Sequence, residues 1–461
     1  MPGTRNPGFE HQLRLAHLHQ LYEISAAGIH PSKVTALRKV SPLALLRPLA
    51  GRRLPRELEA ERVAVTAAQI PGGVRDAEFR VLLSKIESGP FQSSARVDVY
   101  LRGDQAFEAI RKAIRGARRE VLLESYILND DEAGREMLKL LGDACNRGVK
   151  VRVLADDVGS WTTRKEYWKA MRACGVEVRF FHRIADRWWL FLHRDHRKIL
   201  VVDRRIGLLG GMNIADEYTH SVPDDKQHGA RSNGLWRDTH ARVEGPPAWG
   251  MALVFEEGWT RAGGVSPKVP NEMPRDLLPG PNTMLLDSFP GRGQTESAAA
   301  LAAVIGAARE RVWITNSYFC PPHFALKIFR DAVKRGVDVR LLLPGPTDVP
   351  LVRHAGHGFF GGLLRDGVKI YEYQPSVLHA KTVVADGYAS LLGSSNLDFR
   401  SFWFNAECNL LVLDDCVGET LSNGFEDDLR RSKEITLDKW KQRPFKHRVA
   451  DGVARKLRRF L

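Results

Sequence analysis

The sequence has few cysteines, and they are not arranged to hold a metal or a disulfide framework. Five occur among 461 residues. They are scattered, odd in number and never spaced Cys-x-x-Cys, which argues against a zinc site and favours a reducing compartment. No stretch approaches the roughly 18 consecutive apolar residues of a membrane-spanning helix, and the first residues lack the apolar centre of a secretory signal. These absences predict a cytoplasmic protein, soluble or peripherally attached to a membrane.

Acidic residues are in deficit. Lys and Arg total 69 against 55 Asp and Glu, which gives a formal net charge of +14. Such a surplus indicates an anionic partner, and a membrane surface, a nucleic acid and a phosphorylated small molecule are all candidates. With 43% hydrophobic residues, the chain has the composition of a packed protein of two or three domains.

A His-x-Lys pair occurs twice, each time at the start of a β-branched, apolar run. Residues two apart on a strand point to the same face, so each copy places an imidazole beside a fixed positive charge. An Asp follows seven residues after each His and is predicted to lie in the next turn. The two copies consist of His196, Lys198 and Asp203, and of His379, Lys381 and Asp386. Identical spacing in two places indicates one device used twice.

The repeat extends beyond the His-x-Lys pairs. Seven residues past each Asp, small residues precede an Asn, at 210–213 and again at 393–396. Glycine there allows a close approach of the backbone to a bound group, and Asn supplies an amide donor. Residues 118–126 match 309–318, each as a strand that follows a helix. This internal duplication predicts an α/β protein with two mixed-sheet domains.

The pattern His-x-Lys-x4-Asp-x6-Gly-(Gly/Ser)-x-Asn, present twice, resembles the signature of the phospholipase D superfamily. The resemblance implies two tandem phospholipase D-like α/β domains related by a pseudo-twofold axis, with both His-Lys faces at one shared active-site cleft. The predicted organisation is a basic, partly helical or poorly ordered extension at 1–90, a first domain at 91–270, a second at 271–445, and a basic amphipathic helix at 446–461.

The two copies suit the chemistry of a phosphodiester, whose charge repels nucleophiles and whose alkoxide is a poor leaving group. The lysines can stabilise developing charge, while one His attacks phosphorus and the other protonates the leaving oxygen. The resemblance assigns the nucleophile to His196 and the acid/base role to His379, although pseudo-symmetry permits the reverse. No metal or other cofactor is expected, because the lysines supply the positive charge. The acidic clusters at 130–132 and 156–157 are expected to be solvated or capping.

Further polar residues are predicted to complete the site. A catalytic His needs a carboxylate on its far nitrogen to fix its tautomer. Glu407 follows the second copy in the manner of the superfamily's orienting carboxylate, and Asp238 is the candidate for the first. Gly211 stands where the second copy has a Ser. The predicted phosphate contacts are Asn213, Asn396 and Ser394.

Segments around the two copies resemble bacterial cardiolipin synthases, at 210–218, 236–246, 395–401 and 434–440. They imply a phosphatidyltransferase that makes cardiolipin from phosphatidylglycerol and a second phospholipid through a phosphohistidine, releasing glycerol. The alternatives are a phospholipase D-type hydrolase, a nuclease of the same superfamily, and a non-catalytic lipid- or nucleic-acid-binding scaffold. The positive net charge favours the nuclease, whereas the segments that resemble cardiolipin synthases disfavour it. Two intact copies of the His, Lys and Asp motif argue against the scaffold.

The resemblance also bears on partners and location. Anionic phospholipids and a membrane surface are the expected partners, and nucleic acid is not expected. Many cardiolipin synthases begin with two transmembrane helices, which this sequence lacks, so it resembles a shorter type attached to the inner face of the cell membrane. Residues 187–192 suit the headgroup boundary or a buried strand edge, and 448–461 suit an interfacial or a solvated helix.

Overall fold

The computed structural model describes residues 55–86, 91–94, 96–183, 193–220, 234–266, 280–289, 296–444, 451–452 and 454. The strands are β1 (Gln92–Ser93), β2 (Arg96–Tyr100), β3 (Glu120–Ser125), β4 (Lys150–Asp156), β5 (Glu177–Phe181), β6 (Lys198–Val202), β7 (Ile206–Gly210), β8 (Trp236–Arg237), β9 (His240–Glu244), β10 (Asn282–Ser288), β11 (Arg311–Thr315), β12 (Asp338–Pro344), β13 (Lys369–Tyr373), β14 (Val377–Leu378), β15 (Thr382–Ala385), β16 (Ala389–Gly393), β17 (Glu407–Leu413) and β18 (Ser432–Ile435). The helices are α1 (Pro55–Ala68), α2 (Ala77–Ile86), α3 (Gly103–Gly116), α4 (Glu132–Asn146), α5 (Lys165–Ala173), α6 (Pro246–Arg261), α7 (Glu296–Ala307), α8 (His323–Lys334), α9 (Pro350–Arg365), α10 (Phe399–Trp403), α11 (Asp415–Arg430) and α12 (Leu437–Lys441).

The first half of the chain forms a seven-stranded mixed sheet in the order β2-β9-β7-β6-β3-β4-β5. Strands β3, β4 and β5 are parallel, and β6 lies antiparallel to β3. Helices α3, α4 and α5 cover one face of this sheet, and α6 covers the other. The sequence Lys-Ile-Leu-Val-Val of β6 is buried along its whole length, as expected for a strand covered on both faces.

The second half repeats this arrangement. Its sheet has the order β1-β10-β17-β16-β15-β11-β12-β13-β18, and the seven strands from β10 to β13 correspond one by one to the seven of the first sheet. Strands β1 and β18 extend its two edges. The helix before each repeated strand also ends in the same way, since α4 and α8 are each closed by a Gly in the left-handed region, Gly148 at φ +83° and Gly336 at φ +90°. The structure confirms the α/β class and the tandem repeat.

The two halves share a hydrophobic core. One cluster contains Leu122 and Ile199 of the first sheet, Phe255 of α6, and Val384 and Leu410 of the second sheet. All five are almost inaccessible to solvent, and burial of each such side chain is worth about 1.5–3 kcal/mol. This shared core fixes the central strands of the two halves relative to each other.

The segment before the first sheet packs on the second half. Helix α1 lies against α7 so closely that a Cβ on Gly306 would stand 2.4 Å from the carbonyl oxygen of Ala64, and β1 pairs with β10. No helix among the described residues is long and apolar enough to cross a bilayer. The candidate membrane segment at 187–192 lies outside the described residues, as does the one at 448–461 except for residues 451, 452 and 454. The predicted domain boundaries remain predictions.

Candidate active site

The two His-Lys pairs lie at equivalent ends of the two sheets. Lys198 begins β6 and faces Ser125 at the end of β3, so it lies where the parallel strands finish. Lys381 directly precedes β15, which pairs with β11 in the same manner. Both histidines and both lysines are at least nine-tenths buried. Each His contacts a carboxylate from the half that carries the other His, Glu407 for His196 and Asp238 for His379, so the two pairs form one site.

Each His segment is hydrogen-bonded to a segment of the other half. The amide of His196 donates to the carbonyl of Ala406 at 2.9 Å, and the amide of His379 donates to the carbonyl of Arg237 at 2.7 Å. These contacts belong to a parallel bridge at Asp195 and to the two-stranded ribbon of β14 with β8. The pseudo-twofold arrangement is therefore closed by backbone pairing at the site itself.

This pairing exchanges the orienting carboxylates between halves. His196 Nδ1 lies 3.1 Å from Glu407 Oε2, and His379 Nδ1 lies 2.7 Å from Asp238 Oδ2. The expectation that Asp238 serves the first copy and Glu407 the second is wrong. Glu407 follows Ala406, which is hydrogen-bonded to His196, and Asp238 follows Arg237, which is hydrogen-bonded to His379. Each carboxylate is therefore within reach of the His of the other half.

The two carboxylates are held in different ways. Ser394 Oγ donates to Glu407 Oε2 at 2.5 Å and accepts from the amide of Cys408 at 3.0 Å. The predicted phosphate contact of Ser394 is therefore corrected: this hydroxyl positions Glu407. At the equivalent place, a Cβ on Gly211 would stand 2.2 Å from Asp238 Oδ1, so the first half has no room for a Ser side chain.

The two asparagines support the loops that carry the site. Asn213 Oδ1 accepts from the amide of Ile127 at 3.1 Å, and its Nδ2 donates to the hydroxyl of Tyr218 at 2.9 Å. The oxygen and one amide hydrogen of this side chain are thus engaged within the protein, so its predicted phosphate contact rests on the second hydrogen of Nδ2. Asn396 Oδ1 accepts from Ser317 Oγ at 2.6 Å, so its predicted phosphate contact rests on Nδ2 alone.

Asp203 and Asp386 lie away from the histidines. Each stands in the turn after its strand, with φ +53° and +52°, as the sequence predicted. Seven residues of nearly extended chain separate each Asp from its His, about 23 Å at 3.3 Å per residue. Asp203 accepts from three successive amides at 118–120, and Asp386 accepts from three at 309–311. The prediction that they are catalytic is wrong; they hold the start of β3 and β11.

Burial dominates the electrostatics of the site. It lowers the pKa of Lys198 to about 7 and that of Lys381 to about 8, because charge is costly away from water. Burial and the nearby lysines lower the pKa of His196, and lower that of His379 well below its usual value. Each lysine Nζ donates to the carbonyl of its own His, Lys198 at 2.6 Å. Both histidines are therefore neutral near pH 7, as a nucleophile requires.

The carboxylates differ in ionisation. Burial opposes charge on Glu407, but the hydrogen bond from His196 and the positive charge of Lys198 outweigh it, and the pKa of Glu407 falls below its usual value. For Asp238, burial prevails over the opposing effect of Lys381 and raises the pKa to about 6. The partner of His196 is thus the more firmly ionised of the two.

Aromatic side chains line the site and were not singled out from the sequence. Tyr126 lies 5.2 Å from His196 between ring centroids, and Tyr318 lies 5.9 Å from His379. Each follows the end of an equivalent strand, β3 or β11, with Tyr318 one residue further along than Tyr126. The recurrence of a Tyr there is the signal that would have revealed them. Tyr218 and Trp236 also contact the ring of His379, at 5.6 and 5.1 Å.

Buried ion pairs beneath His196 were also missed. Arg197 pairs with Glu124 at 3.1 Å, and Arg194 with Asp156 at 3.5 Å. The carboxylate of Asp156 also accepts from the amide of Asp195 at 2.8 Å. Asp156 is therefore a buried support of the His196 segment and not a solvated acid. The capping role predicted for the other acidic cluster holds for one residue, Asp131, which caps α4.

Comparison with known proteins identifies a matching family, similar sequences and a similar fold. The profile of a family described as "Cardiolipin synthase, PLD-like domain" matches residues 110–223 and 301–429. A cardiolipin synthase of Halalkalibacterium halodurans is 32% identical over 391 residues, covering 84% of this chain and 76% of that protein. Cardiolipin synthase A of Pseudomonas fluorescens is 35% identical over 380 residues, covering 81% and 76%. The crystal structure of phosphatidylserine synthase from Haemophilus influenzae Rd KW20 has a similar fold, with a TM-score of 0.65 at 13% identity over 87% of this chain and 100% of that one.

Proposed function

This chain belongs to the cardiolipin synthase family of the phospholipase D superfamily, and from that premise we propose that it transfers the phosphatidyl group of phosphatidylglycerol to a second phospholipid, releasing glycerol. The observation that carries the proposal is the joining of two buried His-Lys pairs in one site, each His with a carboxylate on its Nδ1. A site that only bound lipid would not need two histidines oriented in this way.

The proposed reaction has two steps. His196 Nε2 attacks phosphorus and forms a phosphatidyl-histidine, while His379, protonated on Nε2 once the anionic phosphodiester is bound beside it, gives that proton to the departing glycerol oxygen. His379 then takes a proton from the hydroxyl of the acceptor lipid, whose oxygen displaces His196 from phosphorus. Lys198 and Lys381 stabilise the charge on the non-bridging oxygens. The firmly ionised Glu407 supports His196 as the nucleophile, because it holds the proton on Nδ1 and leaves the Nε2 lone pair to attack.

We infer that the partner is an anionic membrane surface, met from the cytoplasm by peripheral attachment. Trp161 is 81% exposed after β4, and Leu351 is 44% exposed at the start of α9, after β12. Strands β4 and β12 occupy equivalent places in the two sheets. Their carboxyl ends lie on the same side of the molecule as the His-Lys pairs. Apolar side chains exposed at this edge suit the headgroup boundary, where Trp is favoured.

Membrane binding is tested by co-sedimentation with phosphatidylglycerol vesicles. The double variant Trp161→Ala with Leu351→Ala is expected to bind at least tenfold more weakly than the parent. Val265, which is 87% exposed, provides the matched control, and Val265→Ala is expected to bind as the parent does. Equal loss in both variants would show that exposed apolar area in general, and not this edge, governs binding.

The reaction is tested with purified protein, phosphatidylglycerol vesicles and water enriched in oxygen-18, followed by mass spectrometry of the lipids. Cardiolipin with free glycerol supports the transferase. Phosphatidic acid that carries oxygen-18 would instead assign a hydrolase, since water would be the acceptor. His196→Ala should abolish product and His379→Ala should lower its rate of formation about 10²–10⁴-fold, whereas His323→Ala, a change at an exposed His on α8, should do neither.

A further inference from the structure

Three side chains with metal-binding groups meet where α9 contacts the C-terminal part of the chain. His354 and His357 are three residues apart and lie on one face of the helix. One ligand atom from each of them and one from Asp451 all lie within 4.8 Å of one another. Asp451 Oδ1 is 2.9 Å from His354 Nδ1 and 3.8 Å from His357 Nδ1. A tetrahedral zinc site with bonds of 2.0–2.1 Å has donor atoms about 3.3 Å apart, between these two distances.

A second layer of contacts orients these ligands. His357 Nε2 lies 3.0 Å from Glu372 Oε1, and Arg353 Nη2 holds the same oxygen at 3.0 Å. A carboxylate on the far nitrogen of a His keeps the proton there and directs the other nitrogen to a metal. Arg443 Nη1 donates to Asp451 Oδ2 at 2.6 Å, so Oδ1 is the oxygen that faces the two imidazoles.

The burial of the cluster suits a site that an ion can enter. Asp451 and His357 are 4% and 12% exposed, whereas His354 is 36% exposed. Two ligands are thus anchored in the protein and the third stands at the surface. Three protein ligands leave a fourth position for water.

We propose that His354, His357 and Asp451 bind one divalent transition metal ion, with Zn²⁺ the best fit to two imidazoles and one carboxylate. The ion joins α9 to the segment that contains Asp451. Binding releases the protons that the ligand atoms carry. This site is separate from the His-Lys pairs and does not depend on the proposed lipid chemistry.

The test uses the full chain after removal of metal by a chelator. Calorimetric titration with ZnCl₂ is expected to give one ion per chain. His357→Ala should lose binding, and Asp451→Asn should weaken it by at least 100-fold. Glu372→Gln should weaken it about 10–100-fold, as loss of an orienting partner does at other metal sites. His323→Ala, an exposed His on α8, should bind as the parent does.

Two further measurements keep the test decisive. Circular dichroism establishes that each variant is folded, and Asp451→Asn preserves the size of the side chain. The Co²⁺ complex should show ligand-field bands without sulfur-to-metal charge transfer, because no Cys is in the cluster. The proposal is overturned if the parent binds no stoichiometric zinc, or if His357→Ala and Asp451→Asn both bind zinc as tightly as the parent does. A thiolate charge-transfer band in the Co²⁺ complex would also overturn it.

Discussion

The His196 and His379 sites share one geometry but not one environment. In both, the Nδ1 of a His donates to a carboxylate from the opposite half, and a Lys donates to the backbone carbonyl of that His. Glu407, on His196, has its pKa lowered, whereas Asp238, on His379, has its pKa raised to about 6. The comparison teaches that a duplicated fold keeps the atoms that act together and varies the charge that supports them.

The supporting layers differ as well. Arg197, between His196 and Lys198, is fully buried against Glu124 and also donates to the carbonyl of Ser288 at 3.3 Å. The equivalent position in the second half is Ala380. Buried ion pairs add little net stability but are costly to break. The pair of Arg197 with Glu124 therefore holds the His196 segment in one geometry. This asymmetry agrees with the proposed division of roles.

The largest expected effect separates the two histidines. His196→Ala should lose on the order of 10⁶-fold in turnover, as removal of a nucleophile does, and His379→Ala about 10²–10⁴-fold. A phosphatidyl ester of an acidic phenol needs no proton on departure, so His379→Ala should release one equivalent of phenol in a burst. Rapid-quench measurement detects it. A burst from His196→Ala instead would reverse the assignment.

The carboxylates should rank in the order of their ionisation. Glu407→Gln loses an anion that fixes the tautomer of His196, and should lower kcat on the order of 10³–10⁴-fold. Asp238→Asn removes a less firmly ionised group and should cost about 10²-fold. Steady-state kinetics on vesicles at pH 7 provides the comparison. Equal losses would remove the distinction drawn between the two sites.

The pH profile of kcat/KM should show the ionisation of both Asp238 and Lys198. As pH falls through about 6, Asp238 becomes neutral and its support of His379 is lost, so activity should decline. As pH rises above about 7, Lys198 loses its proton and its hold on phosphate, so activity should decline again. Asp238→Asn should remove the acid limb near pH 6 and leave the alkaline limb. Survival of the acid limb in that variant would assign it to another group.

The smallest effect on activity is expected at the far end of the strands. Asp203→Ala and Asp386→Ala each leave three backbone amides without their hydrogen-bond acceptor. Each change should lower the free energy of unfolding by about 1–3 kcal/mol. Turnover of the folded protein should change less than twofold, because neither carboxylate lies at the histidines. Urea unfolding and kinetics on the same samples test this. A large loss of kcat with unchanged stability would return these residues to the active site.

Much of the fold followed from local pattern. Identical spacing from His196 to Asn213 and from His379 to Asn396 predicted two copies, and the alternation of helix and strand predicted the α/β class. Both needed only the period of a strand and the recurrence of a motif. The roles of Asp203 and Ser394 were misjudged because proximity in sequence was taken for proximity to the substrate. Strand β6, five residues long, places Asp203 at the end of the strand opposite to His196. Ser394 contacts Glu407, which lies at the start of the neighbouring strand β17.

The sequence alone determined that a His and a Lys recur two apart at the start of two equivalent apolar runs, because a repeated motif can be recognised without its fold. Only the tertiary structure decided how they are supported. The bond from His196 to Glu407 joins residues 211 apart, and no local spacing encodes it. It exists because the two halves pack on one core and pair their backbones at Asp195 and Ala406, which brings each carboxylate to the His of the other copy.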